Sequence, residues 1–71
     1  MGVFIMKLVA RFKQLQDYEL MRIKACTGPN NLDIIKIGQD TIISATGDMA
    51  ELIGVIHIFE KYKYKEMELQ R

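Results

Sequence analysis

Few side chains of this 71-residue sequence could perform nucleophilic or metal chemistry. Cys26 is the only cysteine and His57 the only histidine, whereas a structural zinc site takes about four such ligands. No serine, cysteine or carboxylate is placed by sequence to partner His57 in a catalytic pair, so we expect its ring to pack at the boundary of the core. Cys26 is expected to behave as a small buried hydrophobe, because Lys24 alone cannot create the positive setting that a thiolate needs. The sequence therefore predicts no catalytic, metal or cofactor site.

The carboxylates that lie in turn-forming stretches are expected to have local roles. Asp33, Asp40 and Asp48 fall at predicted turns or caps, where a carboxylate accepts hydrogen bonds from the nearby backbone. The stretch 45–48, "ATGD", opens a predicted helix and could present its N–H groups to an anion. The Asp48 carboxylate would occupy the same donors and repel a phosphate. We interpret this stretch as a helix cap, and the chain contains no glycine-rich nucleotide motif.

A basic and aromatic run, "KYKYK", is the strongest nucleic-acid pattern in the chain, because tyrosines can stack on bases while lysines follow the phosphates. This Lys/Tyr run consists of Lys61, Tyr62, Lys63, Tyr64 and Lys65. Three glutamates bracket it, and the net charge of the chain is only +1, so the pattern favours a solvated charged surface. Nucleic-acid binding is kept as the alternative function.

The elements that carry these residues follow from the hydrophobic periodicity. Residues 3–13 are rich in branched and aromatic side chains, and Leu8, Ala10 and Phe12 alternate with the residues between them, which predicts a strand. Residues 16–26 leave two alternatives open. Good helix formers and the candidate cap Asp17 favour a helix, whereas the alternation of Met21, Ile23 and Ala25 favours a strand. A cluster of loop-forming residues, 27–31, follows.

The second half of the chain gives clearer patterns. Residues 32–45 contain two β-branched runs around Gly38-Gln39-Asp40, which predicts a hairpin. A helix is predicted from Met49, capped by Asp48 with Glu51 in capping-box spacing. Its apolar stripe comprises Met49, Leu52, Ile53, Ile56 and Phe59. Residues 62–69 either form a last strand, with Met67 and Leu69 on the buried side, or continue the helix, and we prefer the strand.

The order strand, helix, strand, strand, helix, strand predicts an α+β fold, an open-faced sandwich whose antiparallel sheet is covered on one face by two helices. With 71 residues, of which 49% are hydrophobic, residues 1–71 are expected to form a single domain. The longest uncharged apolar run, "LIGVIHIF", is far shorter than the roughly 20 residues that span a bilayer. The lone thiol and the absence of a signal peptide favour a cytoplasmic protein that does not insert into membranes.

The run "LDIIKIGQDTIISATGDMAELIGV", residues 32–55, resembles the hairpin and second helix of the histidine-containing phosphocarrier protein (HPr) family of the sugar phosphotransferase system. In that family a regulatory serine opens the second helix, and the matching place here is Gly47. The phosphorylated histidine of the family follows the first strand, where this chain has "KQLQD". His57 lies inside the predicted helix and cannot replace it, and the third helix of the family is missing. The resemblance implies the fold without phosphohistidine transfer.

The resemblance also implies a role. Relatives with glutamine at the histidine position act as regulatory binding partners, with which Gln14 or Gln16 is compatible. The leading expectation is a non-enzymatic interaction or regulatory module that binds a protein partner or a second copy of itself. The candidate partner-binding residues are Gln14, Gln16, Gly47, Met49 and Ala50. An enzyme is the least favoured class.

Overall fold

The structure, a computed structural model, describes residues 5–28 and 31–71. Its elements are β1 (Met6–Lys13), α1 (Asp17–Thr27), β2 (Asn31–Ile37), β3 (Asp40–Gly47), α2 (Met49–Phe59) and β4 (Tyr64–Gln70). The first two residues of the strand predicted for 3–13, and residues 29–30 of the predicted loop 27–31, lie outside the described ranges. The predicted order of strands and helices is confirmed.

The four strands form one antiparallel sheet in the order β2-β3-β1-β4. β3 pairs with both β1 and β2, so β1 and β2 run parallel to each other on either side of it. This is the split β-α-β arrangement, in which a helix connects two parallel strands that are separated by a third. The predicted α+β sandwich, with both helices on one face of the sheet, is confirmed.

The two central strands build the floor of the core by alternation. Leu8, Ala10 and Phe12 of β1 are almost completely buried, as are Ile43 and Ala45 of β3. Side chains two residues apart on a strand share one face, so all five point toward the helices. The residues between them must point to the opposite face. Neither of the helices formed by residues 5–28 and 31–71 lies on that second face.

Helix α2 packs on the buried face of the sheet and completes the core. Asp48 caps it, because its Oδ1 accepts a hydrogen bond from the Glu51 backbone N at 2.8 Å, and the Asp48 backbone N donates to Glu51 Oε1 at 3.1 Å. The capping box predicted from sequence is therefore confirmed. The buried stripe is Leu52, Val55 and Phe59, whose spacing of three and four residues follows the helical period.

The predicted composition of the α2 stripe was partly wrong. Met49 and Ile53, which we expected to be buried, are 45% and 47% exposed. Val55 is buried instead, and Ile56 is half-buried against the core. Because apolar residues occupy nearly every position of this helix, several overlapping stripes fit the helical period, and only packing against β1 and β3 selects one.

Residues 17–27 form a helix, which settles the alternative left open by the sequence. The cap is Gln16 rather than Asp17, and the Gln16 backbone N donates to Glu19 Oε1 at 3.0 Å. Only Ile23 and Thr27 of α1 are buried. Cys26 is exposed, so the expectation of a buried cysteine was wrong. Cys26 lies in the last turn on the side of α1 that faces solvent, whereas Thr27 of the same turn is buried.

The hairpin and the last strand are confirmed. Gly38 has φ of 61° at the first position of the two-residue turn between β2 and β3, a left-handed conformation that favours glycine. Residues 64–70 form a strand rather than a helix continuation. Met67 is half-buried against the core, but Leu69 remains 37% exposed, because β4 lies at an edge of the sheet.

Neither helix in the described ranges is long and apolar enough to span a bilayer.

Candidate functional site

The face of the sheet opposite the helices is left uncovered by the residues that the structure describes, and we call it the uncovered face. Its side chains come from the strand positions between the buried ones, such as Val9 and Arg11 of β1 and Ile42 of β3. Strand register brings them side by side, since Ile42 pairs with Arg11 on one side and with Ile35 of β2 on the other. The backbone pairing of β3 with β1 and β2, and not the conformation of loops, therefore sets the geometry of this face.

An apolar patch occupies the β2–β3 half of the uncovered face and extends to β1. It comprises Val9, Ile35, Ile37 and Ile42. Ile35 and Ile37 are 54% and 53% exposed, and Val9 and Ile42 are partly covered by their neighbours. A shallow cavity of about 130 Å³ continues from Val9 and Ile42 to Arg11, Glu66 and Glu68. The patch thus passes directly into charged surface on the β1–β4 side.

An ion cluster borders this patch. The Arg11 Nε donates a hydrogen bond to Asp40 Oδ2 at 2.6 Å, and Lys65 Nζ lies 3.5 Å from the same oxygen. The Asp40 side chain is only 13% exposed, whereas those of Arg11 and Lys65 are 40% and 47% exposed. The hydrogen bond from Arg11 holds the pKa of the Asp40 carboxyl below its usual 3.8, and the charge of Lys65 acts in the same direction.

This cluster predicts a pH dependence of stability. Because the folded-state pKa of Asp40 is depressed, its contribution to the unfolding free energy is fully present above pH 3.8 and is lost as the pH falls through the folded-state value. Asp40→Asn is expected to destabilise the protein at pH 7, and the difference from wild type is expected to shrink in acid. Urea unfolding between pH 7 and pH 2 measures this. Asp33→Asn, an exposed carboxylate on the same face, is the matched control; an equal difference at all pH values would contradict the assignment.

The predicted partner residues Gln14 and Gln16 lie at the end of β1 where α1 begins. The Gln14 backbone N donates to the Gln39 carbonyl oxygen at 2.9 Å, and its side-chain amide donates to Gln39 Oε1 at 3.2 Å. Gln14 also has φ of 56°, an unusual left-handed value for a non-glycine residue. Both glutamines therefore have structural roles, Gln14 as a link to the hairpin and Gln16 as the cap of α1.

The remaining predicted partner residues, Gly47, Met49 and Ala50, lie at the other end of the sheet. Because Gly47 pairs with Met6 at the start of β1, the two sets are separated by the length of β1, about 25 Å at ~3.3 Å per residue. An ideal Cβ at Gly47 would lie 3.2 Å from Glu51 Oε1, so the glycine leaves room for the capping box. Met49 contributes to a separate apolar groove of about 280 Å³ that is also lined by Ile5, Met6 and Arg71.

The Lys/Tyr run is divided among different surroundings. Lys61, Tyr62 and Lys63 line a groove of about 350 Å³ together with Lys13, Gln14, Leu15 and Glu19. Tyr62 is half-buried against the core and Tyr64, 40% exposed, pairs with Phe12 across the sheet. Lys65 belongs to the Asp40 cluster. The run therefore does not form one continuous surface.

His57, the remaining candidate, is exposed on α2, with its side chain 73% accessible and Nδ1 3.5 Å from Glu60 Oε1. The expectation that its ring packs at the core boundary was wrong, because the buried stripe lies on the opposite side of the helix. Within the described ranges no group of three or more histidine, cysteine or acidic side chains could hold a metal ion.

Sequence reasoning missed the apolar patch. Its signal was present in "DIIKI" of β2, where Ile34 and Ile35 are adjacent and therefore point to opposite faces. A strand that is apolar on both sides indicates either a fully buried strand or a second apolar surface. In this sheet only one side is covered.

No protein-family model, curated protein or solved structure matches this chain. The resemblance to the HPr family stays a prediction.

Proposed function

We propose that this protein is a non-enzymatic protein-interaction module that binds its partner through the apolar patch on the uncovered face. The observation that carries the proposal is the exposure of Ile35 and Ile37 beside Ile42 and Val9 on a rigid sheet. Isoleucines that are half in solvent leave much of their apolar area unburied in the monomer, and a partner that covers them gains that apolar burial. The regulatory role implied by the phosphocarrier resemblance is a narrower form of this proposal.

The composition of the uncovered face supports a protein partner. Protein interfaces combine an apolar centre with a polar, charged rim. Here the patch is bordered by the Arg11–Asp40–Lys65 cluster and by Glu66 and Glu68 of β4. Both signs of charge occur in that rim, which fits a partner that presents an apolar ridge flanked by opposite charges.

The same face is poorly suited to nucleic acid. Sheets that bind single strands use aromatic side chains on which bases stack. In the described ranges, the strand positions on the uncovered face carry no aromatic residue, because Phe12 and its neighbour Tyr64 lie on the helix side. The alternative function would have to use the groove beside Lys61 and Lys63, where Glu19 opposes the lysines.

The proposal is tested by a charge placed in the patch. Ile35→Glu is expected to fold, because the side chain is half in solvent, and to abolish recovery of the partner in affinity purification. With the purified partner, we expect binding to weaken by about 2 kcal/mol, roughly 30-fold, as for the loss of a central interface residue. Isothermal titration calorimetry measures this loss.

Met21→Glu is the matched control, since Met21 is 70% exposed but lies on α1, on the other side of the sheet. A partner retained by wild type and Met21→Glu but lost by Ile35→Glu supports the proposal. Equal recovery by all three proteins overturns it. Micromolar binding of labelled single-stranded DNA or RNA that is lost in Lys61→Ala/Lys63→Ala would favour the alternative function instead.

A further inference from the structure

The outer edge of β2 presents backbone hydrogen-bonding groups that β3 does not pair. β2 lies at the end of the strand order and, among the residues that the structure describes, pairs only with β3. Ile37 and Asp40 flank the two-residue turn, and a turn of this kind is closed by hydrogen bonding between its first and fourth residues. Antiparallel ladders alternate between hydrogen-bonded and non-hydrogen-bonded pairs. The backbone N–H and C=O groups of Leu32, Ile34 and Lys36 therefore point away from β3.

The two edges of the sheet differ in how they are protected. β4 carries Lys65, Glu66 and Glu68, and its pairing with β1 is interrupted by a register shift at Arg11/Phe12. Charged side chains and bulges are the usual devices that prevent an edge strand from pairing with another chain. The β2–β3 register is continuous from Asn31 to Ile37, and β2 carries no cluster of charges. Most of its side chains are apolar: Leu32, Ile34, Ile35 and Ile37.

We infer that β2 pairs with the β2 strand of a second copy of this chain, antiparallel and about a two-fold axis at Ile34. This inference goes beyond the proposed function, because it concerns the edge of the sheet and names the partner that the edge binds. The two sheets, each of four strands, become one continuous sheet with all helices on the same side.

The outward-pointing groups restrict the register of this pairing. Hydrogen bonding requires that outward groups of one strand face outward groups of the other, and the pairing centred on Ile34 meets this requirement: Ile34 faces Ile34 of the second copy, and Leu32 faces Lys36 of the second copy. A shift by one residue would oppose groups that point inward. The pairing about Ile34 keeps the helices of both copies on one side of the sheet. It also sets Asp33 opposite Ile35 of the second copy.

Charge supports β2 over β4 as the dimer edge. In the β2 pairing no two like charges face each other, since Asp33 and Lys36 each oppose an apolar residue. The corresponding two-fold pairing of β4 about Met67 would place Glu66 opposite Glu68 of the second copy on both sides of the axis. Directly opposed like charges destabilise a strand pair.

The test compares Lys36→Pro with Lys36→Ala by sedimentation equilibrium. Lys36 is exposed, its N–H points outward, and proline is tolerated on edge strands where no ladder bond is lost. We expect wild type and Lys36→Ala to form a species of twice the 8.2 kDa chain mass as concentration rises. Lys36→Pro is expected to raise the dissociation constant of the dimer about tenfold or more. Each of the two copies carries the substitution, so the hydrogen bond from the residue 36 N–H is lost twice.

A second measurement on the unmodified protein locates the interface. Amide hydrogen exchange of Leu32, Ile34 and Lys36 is expected to slow as concentration increases, since pairing protects only outward-pointing amides. A chain that stays monomeric up to about 1 mM, or a dimer in which these amides exchange freely, overturns the inference. A dimer whose β2 amides exchange freely could instead pair through the apolar patch. Such a dimer would be lost in Ile35→Glu but kept in Lys36→Pro. This pattern distinguishes failure of the β2 inference from failure of the proposed function.

Discussion

Val55→Asp is expected to remove a large part of the protein's stability. Val55 is 1% exposed on the buried stripe of α2, where an aspartate would be an unpaired charge among apolar side chains. A chain of this length has a total stability of roughly 4–10 kcal/mol, and a buried charge costs about 4 kcal/mol or more. Far-ultraviolet circular dichroism and a thermal melt measure the loss.

Ile53→Asp is the control for this result. Ile53 lies on the same helix, two residues away, but is 47% exposed, so its replacement is expected to change the unfolding free energy by less than about 1 kcal/mol. If both variants melt alike, α2 does not use the stripe formed by Leu52, Val55 and Phe59 to contact the sheet.

Phe59→Ala is the second change with a large expected effect. The Phe59 ring meets the Phe12 ring edge to face, with centroids 5.4 Å apart and an interplanar angle of 87°. Both side chains are fully buried, and this contact joins the end of α2 to the end of the central strand β1. We expect a loss of about 3–5 kcal/mol from the cavity and the missing aromatic contact.

Phe59→Leu provides the graded control, because it keeps most of the apolar volume and removes only the ring. A loss of about 1–2 kcal/mol is expected for it. Urea unfolding curves of the three proteins give the comparison. Equal stability of Phe59→Ala and wild type would mean that the end of α2 does not pack on β1.

The sequence predicted the architecture because local patterns and tertiary packing agree over most of the chain. The alternation in β1, the turn at Gly38 and the Asp48 cap each specify one local structure. Where local patterns permit two answers, packing decides. Val55 rather than Ile53 is buried in α2 because β1 and β3 accept only one of the overlapping apolar stripes.

The candidate site was less predictable for a geometric reason. Gln14 and Gly47 appear related when the chain is read in order, since each precedes a helix. The antiparallel pairing of β1 with β3 places these two positions at opposite ends of the sheet. The apolar patch arises from residues on three strands, and only the strand order and register bring Val9, Ile42 and Ile35 together. The strand order and the register cannot be derived from hydrophobic periodicity alone.

The central position of β1 has a consequence for how the chain acquires its fold during synthesis. β1 is synthesised before β3 and β4, the two strands with which it pairs, and in the β1–β4 ladder Lys7 pairs with Gln70. Contacts between residues so far apart in sequence slow folding, since a long loop must close before they form. β1 therefore remains without its second neighbour until residues 64–70 have emerged from the ribosome. Until then, the apolar side chains of β1 depend on the hairpin and α2 for cover, and a nascent chain that stalls before β4 is expected to be prone to aggregation.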